Sequence, residues 1–233
     1  METLFQAISL GDWLVISPAD REEITAEGII LPERNTLSRT LELVREHTSV
    51  PALKIHLEKV VPPESGLGAG SSNAATLIQY LQNQGFAFPA EEVALRVGAD
   101  VPFFLVGGSA IGRGYGEILT PLPDTEPEEL LIARPEVGCQ TVEMFRKLDA
   151  YGYSHWPRAE IRNDFEAVAP CESLDLIEIL QMAGATEARL SGSGSAVFGV
   201  YADAARADIA LEYLQQRHRA QFWRAQTLKR AQE

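Results

Sequence analysis

The sequence predicts an α+β fold divided into two subdomains. Stretches with strand and helix periodicity follow one another without strict βαβ alternation, which argues against a purely parallel sheet. The proline-rich, acidic segment Pro121–Glu129 is typical of a hinge between compact units. With 233 residues, 45% of them hydrophobic, the chain is long enough to bury a core in each unit. We therefore place the first domain at residues 1–125 and the second at 126–233.

Strand and helix signals alternate through the first domain. Apolar alternation and β-branched composition predict strands at Leu4–Leu10, Trp13–Ser17, Ile24–Leu31, Leu53–Leu57 and Ser109–Leu119, with a turn at Gly11-Asp12. Helices are predicted after the capping residues Asn35 or Thr36, from about Ser72 to Gln84, and at Glu91–Val97. The segment Val101–Leu105 is apolar and contains Pro102.

The second domain shows the same mixture. Strands are predicted at Leu130–Ala133, Ala188–Leu190, Ala196–Tyr201 and near Leu228. Apolar positions at helical spacing predict helices over Leu176–Ala183 and Ala207–Leu214.

Charge and cysteine usage narrow the class of partner. The net charge is −13, because 33 acidic residues outnumber 20 basic ones, and the basic residues form no run. A nucleic-acid-binding role is therefore not expected. The cysteines, Cys139 and Cys171, are too few for a disulfide framework, and the four histidines lack the spacing of metal ligands. No signal peptide or membrane-spanning stretch is recognisable. We expect a cytoplasmic protein that is a monomer or a weak homodimer.

The most informative segment is Gly66-Leu67-Gly68-Ala69-Gly70-Ser71-Ser72, here called the glycine loop. A triphosphate needs many N–H donors that converge on it, and glycine lets the backbone approach closely. A helix that starts after such a loop adds unsatisfied N–H groups and a positive dipole end. The pattern indicates an ATP site, whereas the bland interpretation is a flexible turn before a helix.

Other phosphate and nucleophile motifs do not fit this segment. A Walker loop requires a lysine after the last glycine, and here Ser71 follows Gly70. The third glycine stands one position early for a dinucleotide fingerprint, and Ala74 replaces the last glycine of a nucleophile elbow.

Two further positions have open interpretations. Asp100 stands among apolar residues in Gly98–Phe104, which suits a desolvated general base, although a turn-forming aspartate before proline is the better local explanation. Ser191–Ser195, here called the serine loop, repeats the glycine–serine chemistry between two predicted strands. It is either a phosphate-binding segment or a hairpin turn.

Taken together, these segments resemble the GHMP kinases. The resemblance is carried by the ordered segments Pro62–Ala75, Gly98–Phe104 and Leu190–Phe198, and by the shorter matches Leu4–Ile8, Gly11-Asp12, Asn35-x-Leu37-x-Arg39, Gly114-x-Gly116-Glu117 and Asn163-Asp164-Phe165-Glu166. It extends from about Thr3 to about Leu228. The match is strongest to the branch that phosphorylates the 2-hydroxyl of diphosphocytidyl methylerythritol in non-mevalonate isoprenoid synthesis.

The resemblance implies a ribosomal protein S5 domain 2-like first domain, a ferredoxin-like second domain, ATP with Mg²⁺, and a small-molecule substrate. It implies Asp100 as the catalytic base and the serine loop as a cover over the nucleotide. The implied ATP-binding residues are Pro62, Pro63, Glu64, Ser65, Gly66, Leu67, Gly68, Ala69, Gly70, Ser71, Ser72, Gly192, Ser193 and Gly194. No protein-held metal site is implied.

The resemblance has one departure. Family members begin with a Pro-Ala-Lys-x-Asn strand and an Asp-Gly-Tyr-His segment, and neither occurs in these 233 residues. A misassigned start, a truncation and a naturally short protein are the three explanations. Under each of them we expect this polypeptide alone to be catalytically weak, with an uncovered strand edge.

Four functional hypotheses follow. The first is a GHMP kinase that phosphorylates the diphosphocytidyl alcohol, as the resemblance implies, and the second is a catalytically impaired nucleotide-binding protein of the same fold. The third is a GHMP kinase acting on another small alcohol. The fourth, a serine hydrolase using Ser72 or Ser193, lacks a histidine in either glycine-containing segment.

Overall fold

The computed structural model describes residues 2–152 and 162–230, and it confirms the α+β class. The described residues form two compact units. Unit 1 comprises residues 2–61, 68–126 and 228–230, and unit 2 comprises residues 62–67 together with 127–152 and 162–227. The junction at 126/127 lies one residue beyond the one placed from sequence. The two units also exchange short segments, because residues 62–67 belong to unit 2 and residues 228–230 belong to unit 1. A division of the chain at a single boundary does not describe this exchange.

Unit 1 combines two sheets with four helices. Its strands are β1 (Glu2–Gln6), β2 (Trp13–Pro18), β3 (Glu23–Ala26), β4 (Leu53–Glu58), β5 (Ser109–Arg113) and β6 (Ile118–Pro121). Its helices are α1 (Thr36–Arg45), α2 (Ala69–Asn83), α3 (Ala90–Val97) and α4 (Val101–Val106). The sheet orders are β1-β5-β6 and β2-β4-β3, and only the β3–β4 pair is parallel.

The core of unit 1 lies between α1, α2 and the inner face of β4. Leu53, Ile55 and Leu57 are buried, as their alternation predicts, and Leu53 and Ile55 belong to one core cluster with helix residues such as Leu41 and Leu77. Asn35 caps α1, because its Oδ1 accepts hydrogen bonds from the N–H groups of Leu37 and Ser38. The prediction of that helix is therefore confirmed with its cap.

Unit 2 is a four-stranded antiparallel sheet with helices packed against it. Its strands are β7 (Glu129–Arg134), β8 (Glu187–Leu190), β9 (Val197–Tyr201) and β10 (Gln221–Gln226), in the order β10-β7-β9-β8. Its helices are α5 (Thr141–Tyr151), α6 (Cys171–Met182) and α7 (Ala204–Gln215), with a 3₁₀ helix at Asp164–Val168. Leu131, Leu180, Val197 and Leu214 are among the buried residues of its core.

Several element predictions are wrong in detail. The predicted strand Ser109–Leu119 is two strands, because Gly114 and Gly116 adopt positive φ angles and turn the chain between β5 and β6. The predicted strand Ile24–Leu31 ends at Ala26, before a positive-φ glycine at Gly28. Val101–Leu105 is helical despite Pro102, because proline is tolerated in the first turn of a helix.

The chain returns to unit 1 after β10. The Leu228 N–H donates to the Ala7 carbonyl at 2.8 Å, and the Arg230 N–H donates to Asp124 Oδ1 at 3.0 Å. These bonds place residues 228–230 beside the start and the end of the predicted first domain. Over residues 2–152 and 162–230, no helix has the length and apolar character needed to cross a membrane.

Candidate active site

The glycine loop leads directly into α2. Gly68 is the N-cap of this helix in the left-handed conformation, with φ 68° and ψ 18°. A Cβ at Gly68 would lie 2.8 Å from Cζ of Phe104, so both the backbone angle and the space require glycine. The loop therefore ends in a turn that only glycine forms without strain, which disfavours the interpretation as a merely flexible linker.

The helix begins three residues earlier than predicted. α2 starts at Ala69 rather than near Ser72, because the Ser72 N–H already donates to the Gly68 carbonyl at 2.9 Å. The N–H groups of Ala69, Gly70 and Ser71 consequently have no acceptor within the helix. Sequence reasoning assigned these small residues to the loop, whereas they supply the first turn and its unpaired donors. Such a helix start favours an anionic group.

Residues 62–67 belong to unit 2, where they lie against the serine loop. Gly66 has φ 74°, and a Cβ there would lie 2.2 Å from the Ser191 carbonyl oxygen. The Ser191 hydroxyl donates to the Gly66 carbonyl at 3.1 Å, and the Ser195 N–H donates to the Glu64 carbonyl at 3.3 Å. The two segments singled out from sequence are therefore packed backbone to backbone within one unit.

The serine loop connects β8 and β9, with a cis peptide at Gly194-Ser195. Its interpretation as a plain hairpin turn is incomplete, because its side chains reach other segments of unit 2. The Ser193 hydroxyl lies 3.0 Å from Oγ1 of Thr141, and the Ser195 hydroxyl donates to the Val137 carbonyl. Neither Ser72 nor Ser193 hydrogen-bonds a histidine within the described ranges, so the serine hydrolase hypothesis gains no support.

Asp100 lies between α3 and α4 in unit 1 and does not cap α4 with its side chain. Its carboxylate has no hydrogen-bond partner among residues 2–152 and 162–230, and burial raises its pKa. A Cβ at Gly116 would lie 3.4 Å from the Asp100 carboxylate and equally close to the Phe5 ring. Phe5 in turn stacks on Phe103 at a centroid distance of 4.8 Å. This apolar setting suits a carboxylate with increased proton affinity.

A buried ion pair supports the entry to the glycine loop from within unit 1. Asp12 Oδ1 accepts from the N–H groups of Val60 and Val61, and Oδ2 accepts from Asn73 Nδ2 and Lys59 Nζ at 2.9 and 2.7 Å. The Asp12 side chain is fully buried and that of Lys59 is 11% exposed. Gly11-Asp12 is therefore more than a turn, because Asp12 joins the end of β4 to α2.

Sequence reasoning missed Asp12 and Asn73 as structural supports, and also the role of Asn163 and Glu166. Asn163 Nδ2 donates to the carbonyls of Leu190 and Gly192, at 3.0 and 2.6 Å. The Glu166 carboxylate accepts from the Leu190 N–H at 3.0 Å. All four residues lie in segments that resemble the GHMP kinases, and this resemblance could have drawn attention to them. Their hydrogen-bond partners could not be predicted, because most of these partners are distant in sequence.

Comparison with known proteins identifies two matching family models. The model of the GHMP kinases N-terminal domain matches residues 35–108, and that of the GHMP kinases C-terminal domain matches residues 141–220. Together they span more than half of the chain and include the glycine loop, Asp100 and the serine loop.

Two curated relatives illustrate the similarity and carry the same name. The 4-diphosphocytidyl-2-C-methyl-D-erythritol kinase of Thermotoga petrophila is 35% identical over 85% of this chain and 82% of its own length. The enzyme of the same name from Solibacter usitatus is 33% identical over 87% of this chain and 74% of its own length.

Solved structures agree on the fold. A crystal structure of a 4-(cytidine 5'-diphospho)-2C-methyl-D-erythritol kinase is similar with a TM-score of 0.82 and 29% identity, covering 97% of this chain and 89% of the other. The mevalonate kinase of L. major, in complex with R-mevalonate, gives a TM-score of 0.74 at 16% identity over 98% of this chain and 90% of the other, which shows a common fold alone.

Proposed function

This chain belongs to the GHMP kinase family, and we propose from that premise that it is a 4-diphosphocytidyl-2-C-methyl-D-erythritol kinase. The reaction transfers the γ-phosphate of ATP to the 2-hydroxyl of the acceptor. The observation that carries the proposal is the start of α2, where a left-handed Gly68 is followed by three N–H groups without helical acceptors. The acceptor is supported by relatives of that name at 30% identity or above.

The backbone of the glycine loop supplies the binding chemistry for ATP. Polyphosphate oxygens accept hydrogen bonds from the N–H groups of Ala69, Gly70 and Ser71, and the helix dipole favours their negative charge. Because these donors belong to the main chain, an acidic protein with a net charge of −13 can still bind an anion at this point.

Asp100 is proposed as the general base. The 2-hydroxyl oxygen attacks the γ-phosphorus, the bond from phosphorus to the bridging oxygen breaks, and ADP leaves. The hydroxyl proton passes to the Asp100 carboxylate. Burial raises the pKa of this carboxyl, and a base of higher pKa accepts a proton more readily at neutral pH. Positioning and charge stabilisation supply the rest of the rate enhancement.

Mg²⁺ is proposed as the ion that accompanies ATP. This cation prefers oxygen ligands and is commonly held by substrate phosphates with few protein groups. The hydroxyl groups of Ser71 and Ser72, in the first turn of α2, are suitable oxygen donors for it. When bound, Mg²⁺ offsets the negative charge of the phosphates. A cytoplasmic location, a monomeric or weakly dimeric state and the lack of nucleic-acid partners remain predictions from the sequence.

The acceptor is tested by selectivity rather than by absolute rate. The chain is incubated with ATP, Mg²⁺ and either 4-diphosphocytidyl-2-C-methyl-D-erythritol or R-mevalonate, and ADP and the phosphorylated product are measured. We expect product only with the first acceptor. Product with mevalonate instead would indicate a GHMP kinase for another alcohol. ATP binding without product from either acceptor would indicate an impaired nucleotide-binding protein.

A further inference from the structure

The turn between β5 and β6 lies beside the Asp100 carboxylate within unit 1. Gly116, in this turn, is buried and has a φ of 121°. A Cβ built on Gly116 would lie 3.4 Å from Oδ1 of Asp100 and 3.4 Å from Cζ of Phe5. The backbone at Gly116 therefore forms one wall of the space that the carboxylate occupies.

Packing, rather than hydrogen bonding, restrains the Asp100 carboxylate. No residue that the structure describes donates a hydrogen bond to it, and burial is the cause of its raised pKa. The neighbouring Phe5 ring is itself stacked on Phe103. A side chain without hydrogen-bond partners adopts the rotamer that its neighbours leave open. A displacement of the wall at Gly116 would therefore let the carboxylate rotate and let water reach it.

A second glycine fits against the other side of Gly116. A Cβ built on Gly112 of β5 would lie 2.8 Å from the Gly116 carbonyl oxygen and 2.6 Å from Cε2 of Phe5. The Gly116 N–H donates to the Arg113 carbonyl at 3.0 Å and closes the turn. Gly116 is thus confined between β5, the Phe5 ring and Asp100, and its position follows the conformation of the turn.

Glu117 holds the conformation of this turn. Its Oε2 accepts a hydrogen bond from the Tyr115 N–H at 2.6 Å, and a hydrogen bond to an ionised carboxylate is stronger than one between neutral groups. A Cβ built on Gly114 would lie 2.6 Å from Oε1 of Glu117, so the carboxylate lies directly against the Gly114 backbone. Glu117 therefore contacts both residues that precede Gly116. The proposed chemistry leaves this segment, Gly114-x-Gly116-Glu117, without a role.

We propose that Glu117 is a positioning residue that keeps the Asp100 carboxylate in place through the backbone of Gly116. The inference rests on the proposed role of Asp100 as the general base, and it assigns no chemical step to Glu117. A general base must present an oxygen within hydrogen-bond reach of the proton that it accepts. A carboxylate that is free to rotate meets this requirement less often. All residues in this series of contacts belong to unit 1.

Two conservative variants separate the reach of the Glu117 side chain from its charge. E117Q keeps an oxygen at the distance of the Tyr115 N–H and loses the charge, whereas E117D keeps the charge and is one methylene shorter. We expect E117Q to have the kcat of the parent chain. In E117D and E117A, kcat should fall about tenfold or more, because a misplaced catalytic group reacts slowly. The Kd for ATP, measured by calorimetry, should stay unchanged in all three, since none of them alters the glycine loop.

A double-mutant cycle in thermal unfolding tests the same contact without turnover. D100N removes a desolvated carboxylate, so we expect it to raise the unfolding temperature of the parent chain at pH 7. In the E117A background water already reaches the carboxylate, so this rise should shrink by at least about half, whereas E117Q should keep it. A purely structural role of Glu117 would lower the unfolding temperature of E117A but leave the rise unchanged. D20A, which removes an exposed carboxylate, is the control background and should keep the full rise.

The outcomes distinguish this inference from the proposed function. If D100N turns over as the parent chain does, the proposed base is wrong, and the thermal cycle still decides whether Glu117 holds the carboxylate. The thermal cycle also decides if the parent chain has no turnover. The inference is refuted if D100N gives the same rise in the parent and E117A backgrounds, or no rise in the parent chain. It is also refuted if E117Q loses as much kcat as E117A, or if D20A reduces the rise as E117A does. Should E117A fail to fold, E117D replaces it in both experiments.

Discussion

Asp100 is the residue on which the proposed chemistry depends. In D100N the amide cannot accept a proton at neutral pH, so we expect kcat to fall at least about a hundredfold while the Kd for ATP stays the same. Steady-state kinetics and calorimetry measure the two quantities. D20N, at an exposed position, is the control. Unchanged turnover in D100N would remove Asp100 from the mechanism.

The raised pKa of Asp100 also has a consequence for stability. The folded chain holds this proton more tightly than the unfolded chain does, so stability is lost as the pH rises from the ordinary aspartate pKa of about 4 through the raised folded value. At neutral pH a desolvated carboxylate therefore opposes folding. We expect D100N to unfold at a higher temperature than the parent chain at pH 7, and at nearly the same temperature below pH 4. Thermal unfolding at the two pH values measures this, and a lower unfolding temperature for D100N at pH 7 would contradict it.

Sequence reasoning at the residue scale succeeded where chemistry is local. Gly66 and Gly68 have positive φ angles, as expected for glycine, because glycine adopts this conformation without the strain that a side chain causes. The partners of Asn163 and Asp12 could not be predicted, because Leu190 and Lys59 lie 27 and 47 residues away along the chain and come close only through the sheet and helix packing.

At the scale of elements, Asp12 joins the end of β4 to α2. Burial alone would raise the pKa of Asp12, but hydrogen bonds from Lys59, Asn73 and the Val61 and Val60 N–H groups outweigh it and hold that pKa below its usual range. Because the pKa of Asp12 is lower in the folded chain than in the unfolded chain, the ionised carboxylate stabilises the fold. This contribution is present above about pH 4 and is lost as the pH falls through the lowered folded pKa.

Removing Asp12 tests this junction. D12A leaves the Lys59 ammonium buried without its carboxylate, so we expect the free energy of unfolding to fall by about 3–5 kcal/mol at pH 7. Urea titration measures the loss, and it should shrink as the pH is lowered toward 3. D20A, which removes an exposed carboxylate, should change stability by less than about 0.5 kcal/mol. An equal loss of stability in D12A and D20A would contradict the role of Asp12 in joining the end of β4 to α2.

The start of α2 is tested at Gly68. In G68V the branched side chain meets the Phe104 ring and must adopt a left-handed φ, so the first turn of the helix is displaced. We expect the Kd for ATP to rise at least about tenfold. G85V has the same kind of positive φ, with no atom within 4 Å of the added Cβ, and it should bind ATP as the parent chain does. Retained affinity in G68V would reduce the loop to a structural turn.

The strength of the hydrophobic periodicity explains which helices and strands could be predicted from the sequence. α1 and β4 carry clear periods of 3.6 and 2, and both are confirmed with their buried faces. α4 and α5 were missed, since α4 is short with an internal proline, and α5 has buried residues only at Met144 and Leu148. Tertiary packing decides such weak segments.

At the scale of the whole molecule, the chain order does not match the division into units. Residues 62–67 are assigned to unit 2 although strands of unit 1 precede them and α2 of unit 1 follows them. The glycine loop therefore contributes Gly66 to one unit and Gly68 to the other. The proline-rich hinge predicts a linear boundary near residue 125, but it does not predict this exchange, because the exchange depends on backbone contacts with the serine loop.

The most direct test of the central claim, that the glycine loop binds ATP through its main chain, is calorimetric titration of the parent chain, G66A and G85A with ATP and Mg²⁺. Both substitutions impose the same positive-φ strain, of about 1–3 kcal/mol, but only the Cβ at Gly66 meets backbone, at 2.2 Å. We predict saturable binding by the parent chain and G85A and at least about tenfold weaker binding by G66A. No binding by the folded parent chain, or equal affinity in all three, would contradict the account.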